Sequence, residues 1–243
     1  MIVTIDLACF RVSDNYEPQV LLRKRIKKDE PAFGEFALVG GWVWEKSLTE
    51  GGVYDKSLDE AVVRIIESKV GVTPSFLEQI PSEGSESRDS RGWSITLPHY
   101  CLLNDGAIEK LGLDNNFKWV NVQDVISGKE KLPFDHAKLV AKCWAAFAVK
   151  ASYSSVGLYI LPDRFAIPDA VKVFDSMGVE LSKQTVTNRW QKKGLIVDSG
   201  EKRSVSGRPP ATLFKLNETS PSYFGISLTF VDKYGVFEFL DTI

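Results

Sequence analysis

Three positions of one predicted helix decide what chemistry this chain can carry. In the stretch RIIESKVGV, residues 64–72, Ile65, Ser68 and Lys69 stand at i, i+3 and i+4 and so share a helix face. Carboxylates there would hold Mg²⁺, but an isoleucine, a hydroxyl and an ammonium cannot. The carboxylate of Glu67 lies about 200° around the helix from Ile65, at about 100° per residue. The sequence therefore predicts no catalytic residue and no metal site.

Anion binding is the chemistry that remains. Lys69 can pair with a phosphate as a point charge, and Arg23 and Arg25, at the end of a predicted strand, can do so with a planar fork. Gly40 and Gly41 would let a ligand approach the backbone closely.

Other residues of this region have two interpretations. Trp42 or Trp44 could stack on a base, but Trp42 could equally be a core residue. Arg64 could be a structural ion-pair partner rather than a ligand contact. Arg23 and Arg25 could be a solvated strand face.

A second candidate surface lies between Lys183 and Lys215, where eight basic and two acidic residues give a local charge of +6 in a chain of net charge −2. Such a patch is typical of proteins that bind the phosphate backbone of nucleic acids. A helix over SKQTVTNRWQKKG would bury Val186 and Trp190. It would expose Gln184, Thr187, Asn188 and Gln191 toward base edges.

The basic residues of this patch would contact phosphates: Arg189, Lys192 and Lys193 at the helix, and Arg203 and Arg208 at the tip of the following hairpin. The alternative is a solvated basic face, since Lys192 and Lys193 also suit a helix C-terminus.

The elements that position these residues fall into two predicted domains. Residues 1–150 alternate strands and helices, and the helix of the opening stretch has Ser57 as N-cap and Gly71 as stop. Residues 151–243 predict a helix opened by Pro168, a short link, a second helix and a β-hairpin, which is the order of a winged helix-turn-helix. The tail, FGISLTFVDKYGVFEFL, alternates like one more hairpin.

Two resemblances join these observations. RIIESKVGV resembles the Nudix box without its three glutamates, and FALVGGWV, SRGWSIT and LPFDHAKLVA resemble other Nudix segments. Fourteen residues separate Gly41 from Lys56, which indicates an insertion over 43–55. With the wing segment EKRSVSGRPPATLFKL, the chain resembles the NrtR family, the Nudix-related transcriptional regulators of NAD metabolism. The fold implied is an α/β Nudix-type sandwich, a mixed sheet between helices, followed by a winged helix-turn-helix.

The resemblance implies a homodimeric repressor on a palindromic double-stranded operator, released when ADP-ribose or a related NAD metabolite binds the Nudix domain as effector, with no cofactor. The predicted ligand-binding residues are Arg23, Arg25, Gly40, Gly41, Trp42, Arg64, Lys69 and Arg91. The predicted DNA-binding residues are Gln184, Thr187, Asn188, Arg189, Gln191, Lys192, Arg203 and Arg208.

The composition narrows the classes of protein to which this chain could belong. The sequence has three distant cysteines without a CxxC pair and only two histidines, which predicts a protein without disulfides or zinc. It also has no leader-like N-terminus and no apolar run of about 18–20 residues, which predicts a cytoplasmic protein without membrane partners. Two other functions stay open: a Nudix pyrophosphohydrolase acting on ADP-ribose, and a metabolite-binding adaptor whose second domain contacts protein.

Overall fold

A seven-stranded mixed sheet forms the first half of the chain. The computed structural model describes residues 1–46, 52–111, 114–205, 208–217 and 220–242, without the side chains of Val205 and Arg208. The strands are β1 (Ile2–Val12), β2 (Pro18–Lys24), β3 (Phe36–Trp42), β4 (Phe76–Gln79), β5 (Glu83–Ser85), β6 (Ser94–Leu102) and β7 (Phe117–Asn121). Their order is β4-β6-β1-β3-β2-β7, with β5 also paired to β6, and β1 runs parallel to β6 while the other pairs are antiparallel.

Both faces of this sheet are covered, because adjacent residues of its central strands point to opposite sides. In β1, Leu7 packs into the cluster under α1 (Leu58–Lys69), whereas Ala8 packs into the cluster under α4 (His136–Tyr153). The short helices α2 (Asp105–Lys110) and α3 (Val122–Ile126) complete the two layers. The predicted mixed sheet between helices is confirmed.

The second half begins with a 3₁₀ turn, Ser155–Ile160, and then follows the predicted order of elements. Helix α5 (Ile167–Ser176) is followed by α6 (Lys183–Thr185), which continues as wider, π-type turns over Val186–Gln191. A hairpin of β8 (Ile196–Val205) and β9 (Arg208–Leu216) comes next.

The predicted boundary at residue 150 falls inside α4, which continues to Tyr153. One hydrophobic cluster also runs from the sheet through α4 into α5 and the residues that follow it, since Phe10, Trp144, Phe174 and Trp190 all belong to it. The two halves therefore share a core at this junction.

The tail is not the predicted hairpin. Its first part is extended: Phe224 and Leu228 donate from their amides to carbonyls at the end of α4, and Val179 bridges to Phe230. Its second part is a helix, α7 (Val236–Asp241), because both carboxylate oxygens of Asp232 accept from the first amides of that helix at 2.8 Å. Alternation alone could not reveal this capping interaction.

The tail is anchored at Gly178, which has a φ of +78° just after α5. The Val231 amide donates to the Gly178 carbonyl at 2.7 Å, and a Cβ at Gly178 would overlap the carbonyl oxygen of Val231. Among the described residues, no helix has both the length and the apolar character to cross a bilayer.

Gly178→Ala is expected to lower the free energy of unfolding by about 2–4 kcal/mol, since it adds a steric overlap to the cost of a positive φ. Gly200→Ala is the matched control, because Gly200 has a φ of +82° with open space around it. It should lose only about 1 kcal/mol. Urea unfolding measures both, and equal losses would show that the tail contact contributes nothing.

Candidate functional site

A cavity of about 510 Å³ opens between β1, β3, α1 and the loops before β3 and β6. This volume lies within the range of small-molecule sites in proteins. Its basic lining residues are Arg25, Lys27, Arg64, Lys69, Arg88 and Arg91. Its acidic lining residues are Asp6, Asp29, Glu30 and Asp89. The cavity is therefore rich in charge and has an excess of cations.

The predicted common face of α1 is only partly correct. Ile65 is fully buried in the core, and Ser68 is exposed and donates to the Arg64 carbonyl at 2.6 Å. Only Lys69 of the three lines the cavity. The three positions spread over about 100° of the helix, so one end of that arc faces solvent. The arrangement does not fit Mg²⁺, because the side chain that reaches the site is a cation.

The Lys69 ammonium donates to the carbonyl oxygen of Gly40. None of the ion pairs formed by the described residues includes Lys69. Burial, followed by the nearby charge of Arg23, lowers the pKa of Lys69 to about 8. A desolvated cation of this kind, in a cavity, is a candidate anion-binding group.

Gly40 and Gly41 form the floor of the cavity, but their packing explains them first. A Cβ at Gly40 would overlap the Asp6 carboxylate of β1, and a Cβ at Gly41 would lie 3.1 Å from the side chain of Ile65. The two glycines therefore allow β1 and α1 to approach β3.

Of the two interpretations of Arg64, the structure supports the structural ion pair. Its guanidinium donates to both oxygens of Asp55 at 2.7 Å and to the Trp42 carbonyl at 2.8 Å, and it lies 3.7 Å above the Trp44 ring. The amide of Trp44 also donates to Asp55 at 2.7 Å. The hydrogen bond from Arg64 lowers the pKa of Asp55. Arg64 thus fastens both ends of the insertion, whose residues 47–51 lie outside the described part of the chain, to α1.

Trp42 and Trp44 are not core residues, because their exposed fractions are 43% and 41%. Both line the cavity. The guanidinium of Arg91 lies 4.9 Å above the Trp42 ring and is held by Asp89 at 2.6 and 2.9 Å. The end of β3 and the start of the insertion therefore each place one tryptophan at the cavity wall.

Arg23 and Arg25, predicted together at the end of a strand, have different surroundings. Arg25 lines the cavity and donates to the Pro31 carbonyl at 2.7 Å. Arg23 does not line it; its guanidinium lies 5.7 Å above the ring of Phe117, its partner across β7. Arg23 acts on the site only through its charge near Lys69.

Sequence reasoning missed a buried polar cluster at the other end of the cavity. Arg88 donates to both oxygens of Asp135 at 2.6 and 2.9 Å and lies 3.5 Å from Asp6. Nδ1 of His136 accepts from the Leu38 amide at 3.0 Å, and burial lowers the pKa of this histidine, so the ring is neutral. The segment LPFDHAKLVA contains Asp135 and His136, but no sequence signal indicated Arg88 or Asp6.

The described residues contain no group of three His, Cys, Asp or Glu side chains that could hold a metal ion.

The predicted DNA-contacting helix has the expected orientation. The hydroxyl of Ser182 caps it by accepting from the Thr185 amide at 3.1 Å. Val186 and Trp190 are buried, and the Trp190 ring lies 5.0 Å from that of Phe174. Of the predicted residues on this helix, Gln184, Thr187, Asn188 and Lys192 are exposed, and Arg189 and Gln191 are half-buried.

Two of the predicted DNA-contacting residues have partners within the protein. The guanidinium of Arg189 lies 5.1 Å above the Phe224 ring of the tail, so it packs against the protein. Arg203 donates to both oxygens of Asp169 at 3.0 and 2.8 Å, so its guanidinium lies against α5. Both partners are distant in sequence, and no local pattern predicts them. The side chain of Arg208 lies outside the described residues.

Comparison with known proteins identifies the family, although no protein-family model matches the sequence. A crystal structure of Shewanella oneidensis NrtR complexed with a 27mer DNA is 30% identical, with a TM-score of 0.78, over 93% of this chain and 99% of that one. The chain belongs to the NrtR family. The predicted family is therefore confirmed.

Two further proteins are similar to this chain over most of its length. The ADPR responsive transcriptional repressor NtrR of Acinetobacter baylyi is 27% identical over 216 residues, which are 88% of this chain and 81% of that protein. A MutT/nudix family protein from Enterococcus faecalis, 20% identical with a TM-score of 0.64 over 89% of this chain and 88% of that one, shares the fold. Within its NrtR-family fold, this chain carries Lys69 and the Arg64–Asp55 pair at the cavity.

The charge of Lys69 should cost stability. Because its pKa is lower folded than unfolded, the unfolded chain binds more protons between about pH 8 and 10.5, and stability should rise with pH over this window. Lys69→Met is expected to be more stable than wild type by up to about 3 kcal/mol at pH 7, and the difference should shrink toward pH 10.

Thermal and urea unfolding at several pH values measure this difference. The control is Lys56→Met, which changes an exposed lysine just before the same helix. A wild type that is more stable than Lys69→Met at pH 7 would contradict the assignment of an uncompensated charge.

Proposed function

We propose that this protein is a transcriptional repressor whose Nudix-type domain binds ADP-ribose and thereby releases DNA. The proposal rests mainly on Lys69, whose ammonium lies in a basic cavity where a Nudix hydrolase would need metal ligands. Among the described residues, it forms no ion pair with a carboxylate. The proposal is supported by the Acinetobacter relative, named for its response to ADPR, and by the Shewanella structure, which was solved with DNA.

The ligand site uses the first 150 residues. The pyrophosphate of ADP-ribose binds Lys69, with Arg25 and Arg91 as further donors, since all three line the cavity. Trp42 or Trp44 offers an exposed ring for the adenine. Arg64 contributes indirectly, by holding the insertion and both tryptophans in place.

DNA binding uses residues 151–243, which we interpret as a winged helix-turn-helix with β8 and β9 as the wing. Gln184, Thr187, Asn188 and Gln191 face base edges in the major groove, and Lys192 contacts phosphate. A homodimer would present two such helices to palindromic half-sites about 34–36 Å apart, or a multiple of that distance. Arg208 stays a predicted contact of the wing.

The same cavity does not favour hydrolysis. Ile65 is part of the core and Lys69 puts a positive charge where a divalent cation would sit. The chemistry left to the site is recognition of an anion, which suits a regulator because the signal persists after it binds.

An electrophoretic mobility shift with DNA from upstream of NAD-metabolism genes, with and without ADP-ribose, tests the proposal. We expect a shifted complex at low salt that ADP-ribose dissociates. Absence of a shift on all such DNA would refute DNA binding, and turnover of ADP-ribose with Mg²⁺ at ordinary enzyme rates would establish the hydrolase instead.

Two substitutions in the predicted recognition helix should affect DNA binding in different ways. Asn188→Ala should weaken binding to the operator by about 1–3 kcal/mol and leave nonspecific binding nearly unchanged. Lys192→Ala should weaken binding to all sequences alike and reduce the salt slope by about 1. Titrations at several salt concentrations on operator and unrelated DNA measure both. Unchanged affinity in both variants would favour the adaptor function.

Affinity for ADP-ribose should depend on the protonation of Lys69. Since its pKa is about 8 in the free protein and an anion would raise it, affinity is expected to fall about tenfold between pH 7 and 9. Lys69→Met should bind about 10–100-fold more weakly at pH 7. Lys69→Arg, which stays charged, should bind without the pH dependence.

Calorimetry, or the fluorescence of Trp42 and Trp44, measures these affinities. A wild-type affinity that stays constant between pH 7 and 9 would show that Lys69 does not contact the ligand.

A further inference from the structure

Asp169, in the first turn of α5, accepts hydrogen bonds from three parts of the protein. It is 7% exposed. It accepts from the Tyr16 hydroxyl at 3.0 Å, from Arg203 at 3.0 and 2.8 Å, and from the Ala166 amide at 3.0 Å. Tyr16 belongs to the β1–β2 turn of the Nudix-type domain and Arg203 to β8. One carboxylate thus joins the ligand-binding domain, α5 and the wing.

Tyr16 is held firmly at this contact. Its φ of +64° is costly for a residue with a side chain, and the turn is fixed by the Tyr16 amide donating to the Ser13 carbonyl at 2.8 Å. The Lys172 ammonium of α5 lies 4.5 Å above its ring. Burial and the bond to Asp169 raise the pKa of Tyr16, so its hydroxyl stays protonated as the donor.

The β1–β2 hairpin leads from this contact to the proposed ligand. Asp6 of β1 and Arg25, just after β2, line the cavity, whereas the turn of the hairpin carries Tyr16. β1 and β2 pair antiparallel next to the turn, from Phe10 opposite Val20 to Val12 opposite Pro18, and nearer the cavity both strands pair with β3. At about 3.3 Å per residue, β1 alone spans roughly 20 Å from Asp6 to its end. Hydrogen-bonded strands of one sheet therefore connect the cavity to the turn that carries Tyr16.

Arg203 gives the contact a consequence for DNA. Its side chain is 47% exposed and its guanidinium is engaged with Asp169. Nη2 makes both bonds to Asp169, so this carboxylate fixes where the guanidinium lies, while the other N–H groups of Arg203 keep their capacity to donate. Asp169 therefore sets whether the Arg203 guanidinium rests against α5 or is free to turn toward DNA.

Resting on the proposed function, we propose that Asp169 is the positioning residue through which the ligand-binding domain controls the wing. Movement of the β1–β2 hairpin on ligand binding changes the Tyr16–Asp169 bond, and this shifts Arg203 between Asp169 and the DNA backbone. Asp169 touches neither ligand nor DNA; it acts through Arg203.

The test measures coupling, defined as the ratio of DNA dissociation constants with and without ADP-ribose. Tyr16→Phe removes one hydroxyl, and Asp169→Asn removes the charge that holds Arg203. The matched control is Glu201→Gln, which removes one acidic charge from another, exposed arginine pair of the wing, Arg164–Glu201 at 3.3 Å. Affinity for ADP-ribose without DNA is measured for each variant, and circular dichroism checks folding.

We expect Tyr16→Phe and Asp169→Asn to reduce the coupling at least fivefold, while ADP-ribose affinity without DNA stays within twofold of wild type. Glu201→Gln should keep the wild-type coupling. Because both substitutions break one connection, the double variant should lose no more coupling than the larger single loss. A merely structural role of Asp169 would lower stability without changing this ratio.

Wild-type coupling in the folded Tyr16→Phe variant would overturn the inference, as would an equal loss in Glu201→Gln. A loss of coupling that only mirrors weaker ADP-ribose binding would overturn it too, by placing the defect in the cavity. If wild type bound DNA but never responded to ADP-ribose, the proposed function and this inference would both fail, a result distinct from a change confined to the variants.

Discussion

The two-sided burial of β1 is the constraint on which most of the structure depends. This strand pairs with β2, β3 and β6, and its alternate residues supply the hydrophobic clusters on both faces of the sheet. Its first half lines the cavity through Thr4 and Asp6, and the turn that follows it places Tyr16 against Asp169. Since neighbouring side chains of a strand must point to opposite faces, a shift of one residue would disrupt both cores and the cavity together.

The cavity keeps an arrangement that packing alone would not favour. Lys69 is desolvated, and within the described part of the chain its ammonium has a backbone carbonyl as its sole hydrogen-bond acceptor, so its burial opposes folding. Arg64 shows the opposite case, since its guanidinium is satisfied by Asp55, Trp42 and Trp44. Two basic residues of one helix thus differ in their surroundings, since Arg64 is held by its partners, whereas Lys69 forms no ion pair among the described residues.

Caps and buried positions were predictable from the sequence where all the residues involved lie in one element. Ser57 caps α1, Ser182 caps the helix at 183, and Val186 and Trp190 are buried as their spacing indicates. Prediction failed where a partner lies far away in the chain. The pairing of Arg203 with Asp169 and the packing of Arg189 on Phe224 depend on contacts that period and propensity do not record. The helix at 236 was missed for another reason, because alternation in the tail gave no sign of the local cap, Asp232.

The sequence by itself determined the order of elements, the loss of carboxylates from the α1 face, the basic character of residues 183–215 and the family, because these depend on residue types at short spacing. Only the tertiary structure decided which cations are free. Lys69, Arg64, Arg189 and Arg203 are alike as residue types, but their different partners leave one beside the cavity, one fixed to the insertion and two held against the protein. The physical reason is that a charge acts according to its burial and its neighbours, and both are assembled by strands and helices distant in sequence.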